Sequence, residues 1–226
     1  MWLRYPVGMP RQRARSQQAK DLRIVSLIDA ARQIAVERGV RELTLADVTA
    51  RVGLHPSALR RYFDSREELL LELAEQGWGD WRRTLETALT GRRGLSAEEV
   101  AATVSATLDG LPLFCDLLTH VVLSLEGAVR LERARQYKAS ATRSFDSMAA
   151  SLSRSVGGLD EDAARVVLTS AISFAAYLFQ LSRPTETLVR LYAEEPRWAH
   201  DALRFRAQLA ELLTTVLRGL LPQAHS

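Results

Sequence analysis

The sequence predicts an all-α protein in which a small three-helix helix-turn-helix unit precedes a larger helical unit. Three observations carry this. Apolar residues recur at helical spacing through nearly every segment, and no segment alternates apolar and polar residues over a useful length. Capping residues, glycines and prolines also divide the chain at intervals that suit helices.

Taken in order, residues 10–20 (P-R-Q-R-A-R-S-Q-Q-A-K) are polar and basic without a hydrophobic period, and are expected to form a flexible arm. From Leu22 the apolar positions 24, 27, 28, 31, 34 and 35 define a first helix, ended by Gly39 as a left-handed cap. Thr44 followed by Asp47 starts a second, with Leu45, Val48 and Val52 on one face. Gly53 supplies a turn, and Pro56 suits the first turn of a third helix, where its missing N–H costs nothing. Ser65 with Glu68 opens a fourth, expected to run past Trp78 and Trp81 towards Leu89 despite Gly77 and Gly79. Gly91 to Gly94 is the first clear break.

Further on, Ser96 with Glu99 starts a helix to about Leu108, and Gly110-Leu111-Pro112 starts another through Phe114 and Val121. A long amphipathic helix is expected over 127–155, stopped by Gly157-Gly158. Asp160 begins an apolar helix to about Leu181. A short helix at 185–193 and a last one from about Trp198 to Leu221 complete the chain.

Composition narrows the class. The 226 residues are 47% hydrophobic and 25% charged, ordinary for a globular protein. Cys115, the single cysteine, excludes an intrachain disulfide and a cysteine-rich zinc site and fits a reducing cytoplasm. No signal peptide is recognised at the start, where Met9 is an alternative to Met1. No stretch reaches the ~18 apolar residues of a membrane span, and residues 166–182 read instead as a buried bundle helix. No G-x-S-x-G, H-E-x-x-H, P-loop or G-x-G-x-x-G is present, so neither an enzyme nor a bound cofactor or metal is expected.

Charge is unevenly placed. Residues 1–66 hold thirteen Lys/Arg against six acids, whereas the rest is mildly acidic. A basic small unit on an acidic larger one points to a polyanionic partner for the first. Within it, T-L-A-D-V-T-A-R-V-G-L-H-P-S-A-L-R-R-Y-F-D-S-R (44–66) reads as two short helices about a tight turn. Leu59 and Phe63, four apart, share the buried side. The candidates for DNA contact are Thr44, His55, Ser57, Arg60, Arg61, Tyr62 and Arg66: guanidiniums suit guanine edges and hydroxyls suit phosphates.

On these pieces, with D-S-R-E-E-L-L after them, residues 24–73 resemble the DNA-binding domain of the TetR family of bacterial repressors. Arg60 stands where that family commonly has an aromatic residue, and Pro56 and Ala58 replace more polar ones, so the operator cannot be borrowed from relatives. The resemblance implies a flexible basic arm at 1–20, the helix-turn-helix domain at 21–66, and an effector-binding and dimerisation domain at 67–226. Dimerisation is assigned to stripes on the last two long helices, at Ala171 and Ala175 and at Leu209, Leu213, Val216, Leu217 and Leu220. Candidate ligand contacts are Trp81, Phe114, Cys115, His120, Phe145, Tyr177 and Gln180.

The implied function is a cytoplasmic, dimeric repressor that binds a palindromic double-stranded DNA operator and is released by a small, largely apolar effector, with no membrane role. The rival reading is a helical ligand-sequestering or scaffold protein without specific DNA binding.

Overall fold

In the computed structural model, which describes residues 10–199 and 204–221, the helix boundaries follow local chemistry. Helix α1 (Pro10–Arg38) ends where Gly39 takes φ +88°, a conformation that residues with a Cβ rarely adopt. Helix α1 begins at Pro10, so the stretch expected as an arm continues the first helix; residues 1–9 lie outside the described chain. Helix α2 (Leu45–Arg51) is capped by Thr44, whose Oγ1 accepts the Asp47 N–H at 3.1 Å. Gly53, at φ +66°, reverses the chain into α3 (Pro56–Leu59).

Helix α4 (Arg66–Leu89) starts from Ser65, which accepts the Glu68 N–H at 3.1 Å. Helix α5 (Ala97–Asp109) opens with a complete capping box between Ser96 and Glu99. Helix α6 (Pro112–His120) gives way to a π-helical turn at Val121–Leu125 and a 3-10 turn at Glu126–Ala128. The long helix α7 therefore spans Leu131–Ser155 rather than starting at 127. Val129 and Arg130 are extended, and this break in the chain sets the start of the helix. Helices α8 (Glu161–Leu181), α9 (Glu186–Glu194) and α10 (Phe205–Leu220) follow, with a 3-10 turn at Pro196–Trp198. Among the described residues there is no strand.

Helices α1 to α3 pack around Leu27, Ile34, Val48, Leu59 and Phe63 as the N-terminal unit. Helix α4 leaves that unit and packs chiefly on α7, while α10 lies between α5 and α8. Arg133, 11% exposed at its side chain, ties α7 to α4 through Glu72 at 3.0 Å and Glu75 at 2.8 Å. Helix α8 is apolar and long enough to cross a membrane. However, Val167, Leu168, Ala171, Ala175 and Leu178 are buried among α6, α7 and α10, as expected of a bundle helix.

Gly77 weakens α4 locally but has a packing reason. A Cβ there would overlap the Phe114 ring of α6. Gly77→Ala is therefore expected to cost about 1–3 kcal/mol of stability despite alanine's better helix propensity. Denaturant titration reads this directly, and a stabilised variant would contradict the close approach.

Candidate nucleic-acid interface and effector site

The reading element is built by its caps. His55 precedes α3, with Nδ1 accepting the Ser57 N–H at 3.3 Å and lying 2.8 Å from Ser57 Oγ. The α-helix stops at Leu59, before the second member of the Leu59–Phe63 pair. Beyond it the coil tightens: Arg61 N–H bonds Ala58 C=O at 3.2 Å and Tyr62 N–H bonds Leu59 C=O at 2.8 Å. Leu59 and Phe63 anchor this turn in the core, at 0% and 6% exposure.

Arg60 and Arg61 are thereby presented outward, and neither forms an ion pair among the described residues. Tyr62 is half-buried against the core, and His55 and Ser57 are exposed. Thr44 is exposed, but its hydroxyl also donates to Asp47 Oδ2 at 2.6 Å, so capping already occupies it.

Arg66 stands apart from this group. Its guanidinium turns onto the loop between α1 and α2, donating from Nε to Leu43 C=O at 2.6 Å. Nη2 donates to Val40 C=O at 2.7 Å and to Arg41 C=O at 3.2 Å. Within the chain, this guanidinium fastens the N-terminal unit to the first turn of α4.

The same loop is held from the other side. Asp116 on α6 accepts the Val40 N–H at 3.0 Å, while Gln180 on α8 donates Nε2–H to the other carboxylate oxygen at 2.8 Å. His120 Nε2 lies 3.7 Å from Asp116 Oδ1. Burial alone would raise the Asp116 carboxyl, but the contacts from His120, Gln180 and Val40 outweigh it and hold the group below the usual carboxylate range. Beside this joint is a crevice of about 360 Å³ lined by residues of both units, including Arg38, Phe179 and Arg183.

A second cavity, of about 320 Å³, lies between α4, α6, α7 and α8. Its apolar walls include Leu118, Val121, Phe145 and Ile172. Trp78 donates Nε1–H to the Tyr137 hydroxyl at 2.9 Å, and both rings line the cavity. Its charges are paired, Lys138 with Glu126 at 2.8 Å and Arg165 with Asp146 at 2.5 Å.

The structure distributes the expected ligand contacts widely. Phe145 lines this cavity. Trp81 is fully buried behind Trp78 with Nε1–H on Thr107 Oγ1 at 3.1 Å, and Phe114 packs against both indoles. Cys115 is core, its Sγ 3.3 Å from Leu108 C=O and its thiol pushed up by burial to about 12. His120 and Gln180 belong to the joint around Asp116. Tyr177 is 66% exposed on the outer face of α8. Sequence reasoning missed Trp78, Asp116, Tyr137 and Arg165. An acid in the apolar run P-L-F-C-D-L-L-T-H was the available signal for Asp116.

The stripes expected to dimerise are used within the single chain. Ala171, Ala175, Leu209, Leu213 and Leu217 are fully buried in the single chain, while Val216 and Leu220 are half-buried. The outward faces of the two helices carry Val166 and Tyr177 on α8 and Leu212 on α10. Among the described residues no group of three or more His, Cys, Asp or Glu is placed to hold a metal ion.

Known proteins share this arrangement. Residues 27–73 match the family described as bacterial regulatory proteins, tetR family, and residues 75–224 match the tetracyclin repressor-like C-terminal domain. The HTH-type transcriptional repressor KstR2 of Rhodococcus jostii is 27% identical over 109 residues, 46% of this chain and 53% of that protein. The chain thus aligns with about half the length of that curated relative. Two crystal structures share the fold. The TetR-family regulator PfmR of Thermus thermophilus has TM-score 0.54 and 19% identity, covering 87% of this chain and 99% of that one. FadR of Thermus thermophilus, a repressor solved with lauroyl-CoA, has TM-score 0.55 and 20% identity, covering 90% and 98%. With both of its segments matched in order, the chain belongs to the TetR family and is a DNA-binding transcriptional regulator.

Proposed function

We propose that the chain acts in the cytoplasm as a homodimeric repressor whose two reading elements sit in successive major grooves of a near-palindromic operator. A small, largely apolar effector in the cavity between α4, α6, α7 and α8 would release it. The observation that carries this reading is the double grip on the loop between α1 and α2. Arg66 of α4 holds its carbonyls and Asp116 of α6 holds its Val40 N–H. Both helices also contribute to the effector cavity, through Trp78 and Leu118. A ligand that fits one arrangement of α4 and α6 better than another would therefore bias where the reading unit points.

The outward faces of α8 and α10, with Val166, Tyr177 and Leu212, are the surfaces proposed to meet in a two-fold dimer. Lauroyl-CoA in the FadR relative supports an effector with a substantial apolar part. Paired charges in the cavity and missing catalytic motifs favour binding over catalysis.

Arg61→Ala is expected to weaken operator binding by ~1–3 kcal/mol if Arg61 reads a base, with relaxed preference at one position. If it meets phosphate alone, binding weakens evenly across sequences and the salt dependence becomes shallower. Gel-shift titrations at several salt concentrations separate the two, and an unchanged affinity would remove Arg61 from the interface.

A further inference from the structure

One polar group in the effector cavity has a half-completed set of hydrogen bonds. Tyr137 is 2% exposed, and its hydroxyl oxygen accepts the Trp78 Nε1–H at 2.9 Å. An indole nitrogen only donates, so this contact uses a lone pair and leaves the phenolic proton to be placed elsewhere. Among the described residues it is the only hydrogen bond that the Tyr137 hydroxyl makes. Buried donors are nearly always paired, and leaving one unmade is costly.

The surroundings restrict what can complete the set. Leu118, Val121, Phe145 and Ile172 ask for an apolar body. The cations Lys138 and Arg165 are engaged by Glu126 and Asp146, so the cavity offers no unpaired positive charge to an anion. A ligand hydroxyl would bring a proton needing its own acceptor, whereas a carbonyl oxygen only accepts. Burial also pushes the phenol up to about 12, so it keeps its proton at neutral pH.

We propose that Tyr137 is the polar anchor of the effector site, donating its O–H to a neutral ketone- or ester-type carbonyl on an otherwise apolar ligand. This rests on reading the cavity as the effector site. Trp78 acts as a positioning residue by fixing the phenol oxygen in the cavity wall.

The test titrates the full chain with three probes of similar size: butyrophenone, butylbenzene and 4-phenylbutyrate. Binding is followed by calorimetry for the wild type and Tyr137→Phe. The expected result is that butylbenzene binds both proteins equally. The preference for butyrophenone over butylbenzene should fall about tenfold in the variant, the worth of one well-made hydrogen bond. An unchanged preference, or 4-phenylbutyrate as the tightest probe, overturns the proposal while leaving the cavity reading standing. If no probe binds the wild type saturably, or binding survives Ile172→Trp, which fills the cavity, the cavity reading itself fails and takes the proposal with it. Should Tyr137→Phe not fold, infrared spectroscopy of carbonyl-labelled butyrophenone bound to the wild type still decides. A stretch below its position in hexane supports the bond, and one at the hexane position overturns it.

Discussion

Replacing Arg66 with alanine is expected to remove DNA binding without unfolding the larger helical unit. The guanidinium donates to three carbonyls, those of Leu43, Val40 and Arg41, at 2.6, 2.7 and 3.2 Å. Hydrogen bonds from a charged donor are the stronger kind, and the side chain is about two-thirds shielded from water, being 30% exposed. Their loss should cost about 2–3 kcal/mol of local stability. The deficit falls on the joint rather than the core, because α4 remains packed on α7 through its buried leucines and through Glu72 and Glu75 on Arg133. Hydrogen exchange should show faster opening of residues 40–63 with protection of α4 to α8 retained. Uniformly faster exchange over the whole chain would contradict a local role. Arg66→Lys should rescue little, since one ammonium cannot reproduce the fork that reaches three carbonyls.

Asp116→Ala is expected to separate the two units in function. It removes the acceptor for Val40 N–H and for Gln180 Nε2–H, leaving two partly buried donors unmade. The cost is about 1–3 kcal/mol for each donor that water cannot reach. DNA affinity should fall and its response to any effector should shrink, while effector binding stays near the wild-type value, because Asp116 does not line the cavity proposed to hold the effector. Full effector-driven release in this variant would show that α6 is not needed for coupling. Acid gives the same loosening by another route. A carboxyl held below its usual range stabilises the folded joint above the unfolded pKa, and that contribution disappears as pH falls through the lowered folded value. The joint should therefore weaken as pH falls below about 4, as read by the same exchange experiment.

Most helix starts were legible because they are local. Thr44, Ser65 and Ser96 cap where side chain and backbone lie three residues apart, and Gly39 and Gly53 turn where a positive φ is needed. The end of α3 was less so. Leu59 and Phe63 share a buried side whether the coil between them is α-helical or tightened, and periodicity does not distinguish these. Periodicity likewise says which side of a helix faces inward but not which neighbour it meets. Ala171, Leu209 and Leu213 carry the pattern of a dimer seam and are buried within one chain. Tyr177 illustrates the converse, an aromatic on an apolar helix that faces outward. The pairings of Asp116, Tyr137 and Arg66 were illegible for a third reason. Their partners lie 76, 59 and 23 to 26 residues away, beyond what spacing along the chain can pair.

The proposed function has the protein read DNA as a symmetric dimer through the turn carrying Arg60 and Arg61. Selection from a pool of random duplexes with the full-length protein, followed by sequencing of the retained DNA, tests this directly. The expected outcome is an enriched inverted repeat whose half-site centres lie ~34–36 Å apart or a multiple of this, and that enrichment should vanish with the double variant Arg60→Ala/Arg61→Ala. Retained DNA with no common repeat, or a repeat equally enriched by the double variant, would show that the turn does not read DNA in this way.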